Sequence, residues 1–481
     1  MTEQIACPTL RPSLRMLSDE QIRAIHNASL DILSGTGIEM RHEGARTLLL
    51  DAGAWRSGER IMIPEHLITR ALRSAPSRIA VHNRLGQLTM PLEEGKVYFG
   101  TGSDCPFTID VETRERRPSV AEDVRRFAQL CDGLDQIDFI MSMGIPSDVP
   151  VMDHYVHSFI QMIRGSVKPN VYTAKDRQDM EDIYAIACAV AGGEAELRAK
   201  PFMLLYAEPI SPLLFNQESV DNLLFCAEKG IPGAYLPSPN TGGGGPITVA
   251  GALALGNAEC LAGLVLTQLV RPGTPFLYGM NVAALDMGST IVAYGAPDWA
   301  QAMAAFSDMA RFYHLPVWGG AGATDSKVVD AQAGFEATTT IMSAFMSRCN
   351  LVHDVGYMEY GSTSSMELLV ICDEIIRHTR FIVDGVEVSD RTLAREAIHR
   401  ARPGSGFFAD DHTLEHWKWA QWRPRVVDRM RYANWQKRGS RDMAARANEL
   451  AQRILDEHQS SPLPEAAEEA VADVLRRRAE S

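Results

Sequence analysis

Eight short apolar or β-branched runs recur between residues 97 and 356, separated by segments of helical length. They are VYFG (97–100), FIMSMG (139–144), NVYTA (170–174), MLLYAE (203–208), GAYLP (233–237), PFLYGMN (275–281), PVWGG (316–320) and LVHDVG (351–356). Strands alternating with helices lie parallel, because each helix carries the chain back to the edge where the next strand starts. An open doubly wound sheet gives the same local pattern with fewer repeats; eight predict a closed (β/α)8 barrel. The first run carries the weakest signal. The segment opening at Pro118 has a Ser119/Glu122 capping pattern, and the one opening at Pro297 sets Trp299, Met303, Phe306 and Met309 on one face. The insertion CPFTIDVETRER (105–116) reads as a hairpin in the first strand–helix connection.

Two appendages flank the expected barrel of residues 96–381. Residues 1–95 form an N-terminal helical and mixed extension, where Ser18 and Gln21 make a capping box ahead of Ile22, Ile25, Ile32 and Leu33, and Gly35 and Gly37 close the helix. No chemistry is placed in 38–95. Residues 382–481 form a C-terminal helical cap. It is loop-rich to 425, then strongly charged, and ends in EAAEEAVADVLRRRAE, expected to be solvated. The 481 residues are 46% hydrophobic, enough for one large core with appendages. The opening MTEQIACPTLRPS lacks the apolar run of a signal peptide, and no stretch approaches the ~20 uninterrupted apolar residues of a membrane span. Eight scattered cysteines without a CxxC pair read as buried thiols, and the cytoplasm as the compartment. Net charge is −14; on that balance no basic face interleaved with aromatics, and so no nucleic-acid partner, is expected.

A parallel barrel carries its site at the C-terminal ends of the strands. Those ends hold Thr101, Ser103 and Asp104; Tyr206 and Glu208; Asn240 to Gly245; Tyr278 and Asn281; Trp318 to Asp325; and His353, Asp354 and Tyr357. Such a mouth is rich in aromatics and acids and poor in Lys and Arg, which suits an organic cation better than a phosphate. A quaternary ammonium donates no hydrogen bond, so ring faces and carboxylates hold it, each ring contributing ~0.5–2 kcal/mol. Any single ring is more readily explained as barrel packing; the group is balanced between packing and cation binding. The loop NTGGGGPITVAGALALGNAE (240–259) has four successive glycines that let backbone approach a ligand, against the plainer reading of a flexible turn, and it lacks the Lys-Ser/Thr of a phosphate loop.

Three patterns compete for attention. His412 and His416 in HTLEH match an inverted zinc-protease motif, but they lie outside the barrel and their flanking Trp417, Trp419 and Trp422 suggest packing. His154 and His157 lack a third ligand. Lys175 and Lys327 could form Schiff bases, yet each stands near an acid, Asp176 and Asp325, and an ion pair is the simpler reading.

The stretches FGTGSDCPF, SPNTGGGGPITVAGALALGNAE, GGAGATDSKVVDAQAGFE and FFADDHTLEHWKWAQWRP resemble the trimethylamine:corrinoid methyltransferase family, over nearly the whole chain from LSDEQIRAIHNASLDIL onward. The resemblance implies a (β/α)8 barrel that moves a methyl group from a small methylated amine to the cobalt(I) of a corrinoid (cobalamin) held by a separate corrinoid-binding protein, with no tightly bound metal of its own. Founding members carry pyrrolysine; none is written here, so the chain is similar to the branch without it, whose better-known substrates are quaternary amines such as glycine betaine. A quaternary nitrogen leaves as a neutral tertiary amine and needs no general acid, so the protein's task is positioning and electrostatics.

Strand-end position then assigns roles. Phe99, Tyr206, Tyr278, Trp318 and Tyr357 are expected to form the cage. Asp104 or Glu208 supplies negative charge. Asn281 and His353 are candidates for a substrate carboxylate, and His353, Asp104 and Glu208 are the expected catalytic groups. Gly242, Gly243, Gly244, Gly245, Thr324 and Asp325 are expected to face the corrinoid. Two other readings remain: a barrel lyase or aldolase using Lys175 or Lys327, and a betaine-binding protein without catalysis. The chain is compatible with self-association.

Overall fold

All eight strand runs meet in one ring. The computed structural model describes residues 11–480, so Cys7 and the opening MTEQIACPTL lie outside the described residues. The ring strands are β1 (Tyr98–Phe99), β2 (the bridge residues 139–140), β3 (Asn170–Tyr172), β4 (Met203–Ala207), β5 (Gly233–Tyr235), β6 (Phe276–Gly279), β7 (Val317–Gly320) and β8 (Leu351–His353). Seven pair side by side in parallel, from β3 round to β8 and on to β1, with Leu351 opposite Tyr98. β2 closes the circle through two parallel bridges, Gly100 to Phe139 and Ile140 to Asn170. The ring is therefore the expected barrel, with its thinnest pairing at β2.

Alternation along each strand sorts side chains to two faces. Val171, Leu204, Ala234, Leu277, Trp318 and Leu351 fill the barrel interior. Their neighbours Tyr172, Leu205, Tyr235, Tyr278, Val317 and Val352 pack outward against the helices. The hairpin Ile79–His82 with Leu88–Leu92 lies in the segment read only as mixed, and it contributes Ile79, Val81, Met90 and Leu92 to the interior cluster. The backbone N–H groups of His82 and Arg84 bond to the carbonyls of Pro201 and Val167, just before β4 and β3. The hairpin thus plugs the end where strands begin and leaves the opposite end as the mouth.

Several local expectations need amendment. The capping box at Ser18/Gln21 forms as read. The Ser119/Glu122 box does not: the helix Ala121–Gly133 is capped by Asp123, whose carboxylate accepts from the Val120 N–H at 2.9 Å. The 105–116 hairpin pairs Phe107–Ile109 with Arg116–Pro118. Among described helices, Val249–Val270 is long and apolar enough to cross a membrane, though Asn257 and Glu259 interrupt it, and 83% of its apolar window is buried. It is a core helix, packed by Asp19–Asp31 and Glu65–Ser74. Its polar residues are satisfied inside: Asn257 donates to Ser29 Oγ at 2.8 Å, and Glu259 accepts from Ser211 Oγ at 2.8 Å and the Leu213 N–H at 2.6 Å.

The charged C-terminal tail is not wholly solvated but docks by one face. Helix Glu465–Glu480 buries Ala467, Val471 and Val474, a helical-spaced stripe hidden in a charged sequence. Arg478 reaches Asp153, Asp179 and Asp182 at 2.7–2.9 Å, and the two latter carboxylates are buried. Trp417 and Trp419 are nearly half exposed, under the guanidiniums of Arg423 and Arg391, so of the three tryptophans only Trp422 takes up the expected packing, against His378.

Candidate functional site

The inner-face positions of β4 and β8 continue past the strand ends into the mouth. Leu204 faces the interior, so Tyr206 and Glu208 do as well; Leu351 faces it, and so does His353. They open on a cavity of about 320 Å³. Four tyrosines line it, Tyr206, Tyr294, Tyr357 and Tyr360, with the carboxylates of Asp104, Glu208 and Asp354, and no Lys or Arg does. Ser103, Ser238, Asn240 and Asn281 add neutral polar edges. A second cavity of about 420 Å³ shares Asp104, Tyr206 and Glu208 and extends to Tyr155 and Lys175.

Each group is fixed by a neighbour. The Tyr206 hydroxyl donates to Glu208 Oε1. Burial pushes the Glu208 carboxyl up to about 7, against the Tyr206 hydrogen bond and the nearby His353, which favour its ionised form. Burial also raises Asp104, countered by a 2.8 Å hydrogen bond from Ser103 Oγ. His353 Nδ1 sits 2.8 Å from Asp354 Oδ1. Because the carboxylate accepts, the ring donates from Nδ1, leaving Nε2 as the free nitrogen. Asn281 Nδ2 donates to the Tyr294 oxygen at 3.0 Å, while its Oδ1 accepts from Trp299 Nε1 at 2.9 Å. The Tyr357 hydroxyl donates to the Ser103 carbonyl.

The backbone is unusual here too. Asp104 (φ 69°), Asp354 (φ 74°) and Tyr360 (φ 51°) all hold left-handed conformations, which side chains other than glycine adopt at a cost and which cluster at functional sites. Gly102 admits no side chain: a Cβ there would lie 2.2 Å from the Tyr357 ring and 2.5 Å from the Asp354 carboxylate.

Of the residues assigned from strand ends, Asp104, Tyr206, Glu208, Asn281, His353 and Tyr357 come together round this cavity. Phe99 and Tyr278 do not. Both are on outward-facing positions: Phe99 packs on Phe345 with ring centroids 4.8 Å apart, and the Tyr278 hydroxyl donates to Asn257 Oδ1 at 2.8 Å. Trp318 is inward but buried beneath the cavity, 5.4 Å from the Tyr206 ring and 5.1 Å from His353.

Thr324 is fully buried and donates to Glu336, while Asp325 accepts from the N–H groups of Tyr294 and Gly295 at 3.0 Å each. Asp325 thus supports the loop bearing Tyr294, and Thr324 pairs by its backbone with Tyr357 and Tyr360. The glycine loop is ordered by a backbone bridge from Thr241 to Ala284. A Cβ at Gly245 would stand 2.6 Å from the Pro239 carbonyl oxygen, and at Gly243 only 3.4 Å from Leu285.

Residues of the competing patterns have local partners. Lys175 pairs with Asp176, and Lys327 donates to the Asp325 backbone carbonyl at 2.8 Å, not to its carboxylate. His412 and His416 stack with centroids 4.2 Å apart, and no group of three metal-ligating side chains occurs among the described residues.

Sequence reasoning missed Tyr294 and Tyr360. Both lie in connections, after β6 and β8, several residues beyond the strand ends, where strand parity gives no guide. The pairing of Asn281 with Tyr294 and Trp299 was equally hidden, since it joins a strand end to a loop and a helix start.

A model of the family described as Trimethylamine methyltransferase (MTTB) matches residues 3–481. The trimethylamine methyltransferase MttB of Desulfitobacterium hafniense is 31% identical over 450 residues, 93% of this chain and 90% of that protein. A glycine betaine methyltransferase of the same species is 30% identical over 89% of this chain and 90% of its own length. The trimethylamine methyltransferase MttB of Methanosarcina thermophila is 31% identical over 96% of both. The crystal structure of the monomethylamine methyltransferase of Methanosarcina barkeri superposes with a TM-score of 0.51 over 97% of this chain and 88% of that one at 10% identity, a likeness of fold.

Proposed function

This chain belongs to the trimethylamine methyltransferase family, and from that premise we propose that it takes a methyl group from a small quaternary ammonium compound, such as a betaine, and passes it to the cobalt of a corrinoid carried by a partner protein. The observation that carries the reading is the cavity itself: four tyrosine rings and three carboxylates without a single Lys or Arg. Such a lining attracts a cation that can offer no hydrogen bond. At about 320 Å³ the cavity accommodates a trimethylammonium head and a short substituent.

The reaction breaks one C–N bond, and its electron pair stays on nitrogen. The amine leaves neutral, so the residues need only bind, orient and exclude water. Tyr206, Tyr294, Tyr357 and Tyr360 hold the head; Asp104 and Glu208 compensate its charge. The second Nδ2 hydrogen of Asn281 receives a substrate carboxylate, and His353 joins it as a donor only in its imidazolium form, because Nε2 accepts while Nδ1 alone carries the proton. Cobalt, when a corrinoid is presented at the mouth, supplies the nucleophile. The surface round the mouth suits a protein partner. Connections after β2, β4, β5, β6 and β7 expose Met152, Ile210, Ile247, Met287 and Val328, each 53–69% accessible. Exposed apolar side chains on these connections offer a surface that another protein can cover. Seven described cysteines, all unpaired thiols, accord with a cytoplasmic setting.

The test is spectroscopic. Mixed with cob(I)alamin and a quaternary methylammonium compound, the protein should convert the cobalt(I) spectrum to that of methylcobalt(III), with quaternary amines outperforming trimethylamine. Folded protein that leaves the spectrum unchanged with every N-methyl amine tried would refute the reading.

A further inference from the structure

The acidic balance of the chain conceals a basic segment. Between 423 and 441 stand seven Lys or Arg residues and one acid, Asp428, interleaved with Tyr432 and Trp435. This overturns the expectation that no basic face interleaved with aromatics exists. The segment and the helix Met443–Glu457 enclose a groove of about 640 Å³, twice the mouth cavity. One wall is Gly133, at the end of Ala121–Gly133 and just before β2, so the groove lies on the face where strands begin, opposite the mouth.

Five guanidiniums line it against two carboxylates. Arg425 is compensated by Asp135 and Asp373, and Arg441 by Glu449. Arg446 Nε donates to the Val426 carbonyl at 2.8 Å and its Nη1 to the Arg441 carbonyl, which leaves Nη2 for a ligand; it meets no carboxylate. Arg438 and Arg453 have no side-chain hydrogen bond or ion pair among the described residues, and both are exposed. Three positive charges therefore converge on one groove without anionic partners. The same groove has apolar surface from Met430, Trp435, Leu450 and Ile454. Guanidinium forks match phosphate oxygens two at a time, and an indole face stacks on a planar base.

We propose that this groove binds a nucleoside polyphosphate, its phosphates on Arg438, Arg446 and Arg453 and its base against Trp435. A long nucleic acid is a poorer fit to an enclosed groove on a chain of net charge −14.

Calorimetric titration of the full chain with ATP, tripolyphosphate and adenosine tests this. ATP should bind saturably and more tightly than tripolyphosphate, and adenosine should bind weakest. Arg438→Ala with Arg453→Ala should weaken ATP at least tenfold, and Trp435→Ala should weaken ATP but not tripolyphosphate. Trp435→Phe, which keeps an aromatic face, should restore most of the ATP affinity. Both arginines are exposed, so their removal should leave the melting temperature and methyl transfer to free cob(I)alamin unchanged. The proposal fails if no probe binds saturably, if ATP and tripolyphosphate bind alike, or if the double variant changes the oligomeric state and not ATP affinity.

Discussion

The Tyr206 hydroxyl donates to the Glu208 carboxylate from two residues earlier on the same strand edge, so ring and charge face the cavity as one unit. Period-two alternation produces this: both side chains leave the backbone on the barrel's inner face. The proximity keeps the acid pointed at the place a cationic head would occupy.

That unit makes substrate binding depend on pH. The Glu208 carboxyl is held up to about 7 by burial, so much of it is protonated in the empty protein near neutrality. A bound cation favours the ionised form and expels the proton. Affinity for a quaternary ammonium compound should therefore rise with pH through about 7, by up to about tenfold per unit below that value. Calorimetry in buffers of different ionisation heat should register the released proton, and in Glu208→Gln both effects should disappear. A pH-independent affinity in the parent would contradict the role given to this acid.

The same burial has a stability counterpart of opposite direction. Glu208 is ordinarily deprotonated above 4.5, and folding raises that to about 7. The ionised form is thus disfavoured in the fold, and the stability cost grows as pH rises from 4.5 through 7 and is complete above it. Glu208→Gln should melt higher than the parent at about pH 8 and alike below about pH 4. Thermal unfolding at the two pH values decides this.

The tyrosine rings should matter individually and modestly. Tyr360→Leu should weaken quaternary ammonium binding by about 0.5–2 kcal/mol, a several-fold change in Kd, while Tyr360→Phe should keep most of the affinity. Phe99→Leu, on the helix-facing side of β1, should leave binding unchanged. Equal losses for Tyr360→Leu and Phe99→Leu would show that the measurement reports stability and not the cage.

Tyr278 offers the reverse case. It and Asn257 are both fully buried, and the Tyr278 hydroxyl donates to Asn257 Oδ1 at 2.8 Å. Tyr278→Phe leaves that oxygen without this donor and should cost about 1–3 kcal/mol of stability in denaturant unfolding. Substrate affinity should not move.

The glycine loop separates two neighbouring positions. Gly243→Ala meets Leu285 at an ordinary 3.4 Å and should be tolerated, whereas Gly245→Ala forces a Cβ to 2.6 Å from the Pro239 carbonyl oxygen. The loop must then shift at the rim, and methyl transfer to cobalt should slow while ammonium binding persists. Kinetics of cobalt methylation beside equilibrium binding would distinguish the two steps.

The eight-stranded ring was legible because strand–helix alternation is a local pattern repeated along the chain, and the mouth acids Asp104 and Glu208 followed from the rule that barrel sites sit at strand ends. Parity along the strands was legible too, and applied to β6 it would have set Tyr278 on the helix side once Leu277 was taken as interior.

Tertiary structure alone decided the rest. Tyr294 and Tyr360 reach the cavity through connections whose paths depend on Asp325 bonding to the backbone at 294 and 295, and on a left-handed turn at Tyr360. The tail read as solvated docks because Asp179 and Asp182 are buried where Arg478 can reach them, about 300 residues away in sequence. Local propensity is written in neighbouring residues and so survives in the sequence. Which distant charge meets which, and which loop side chain turns inward, is fixed only when packing brings the elements together.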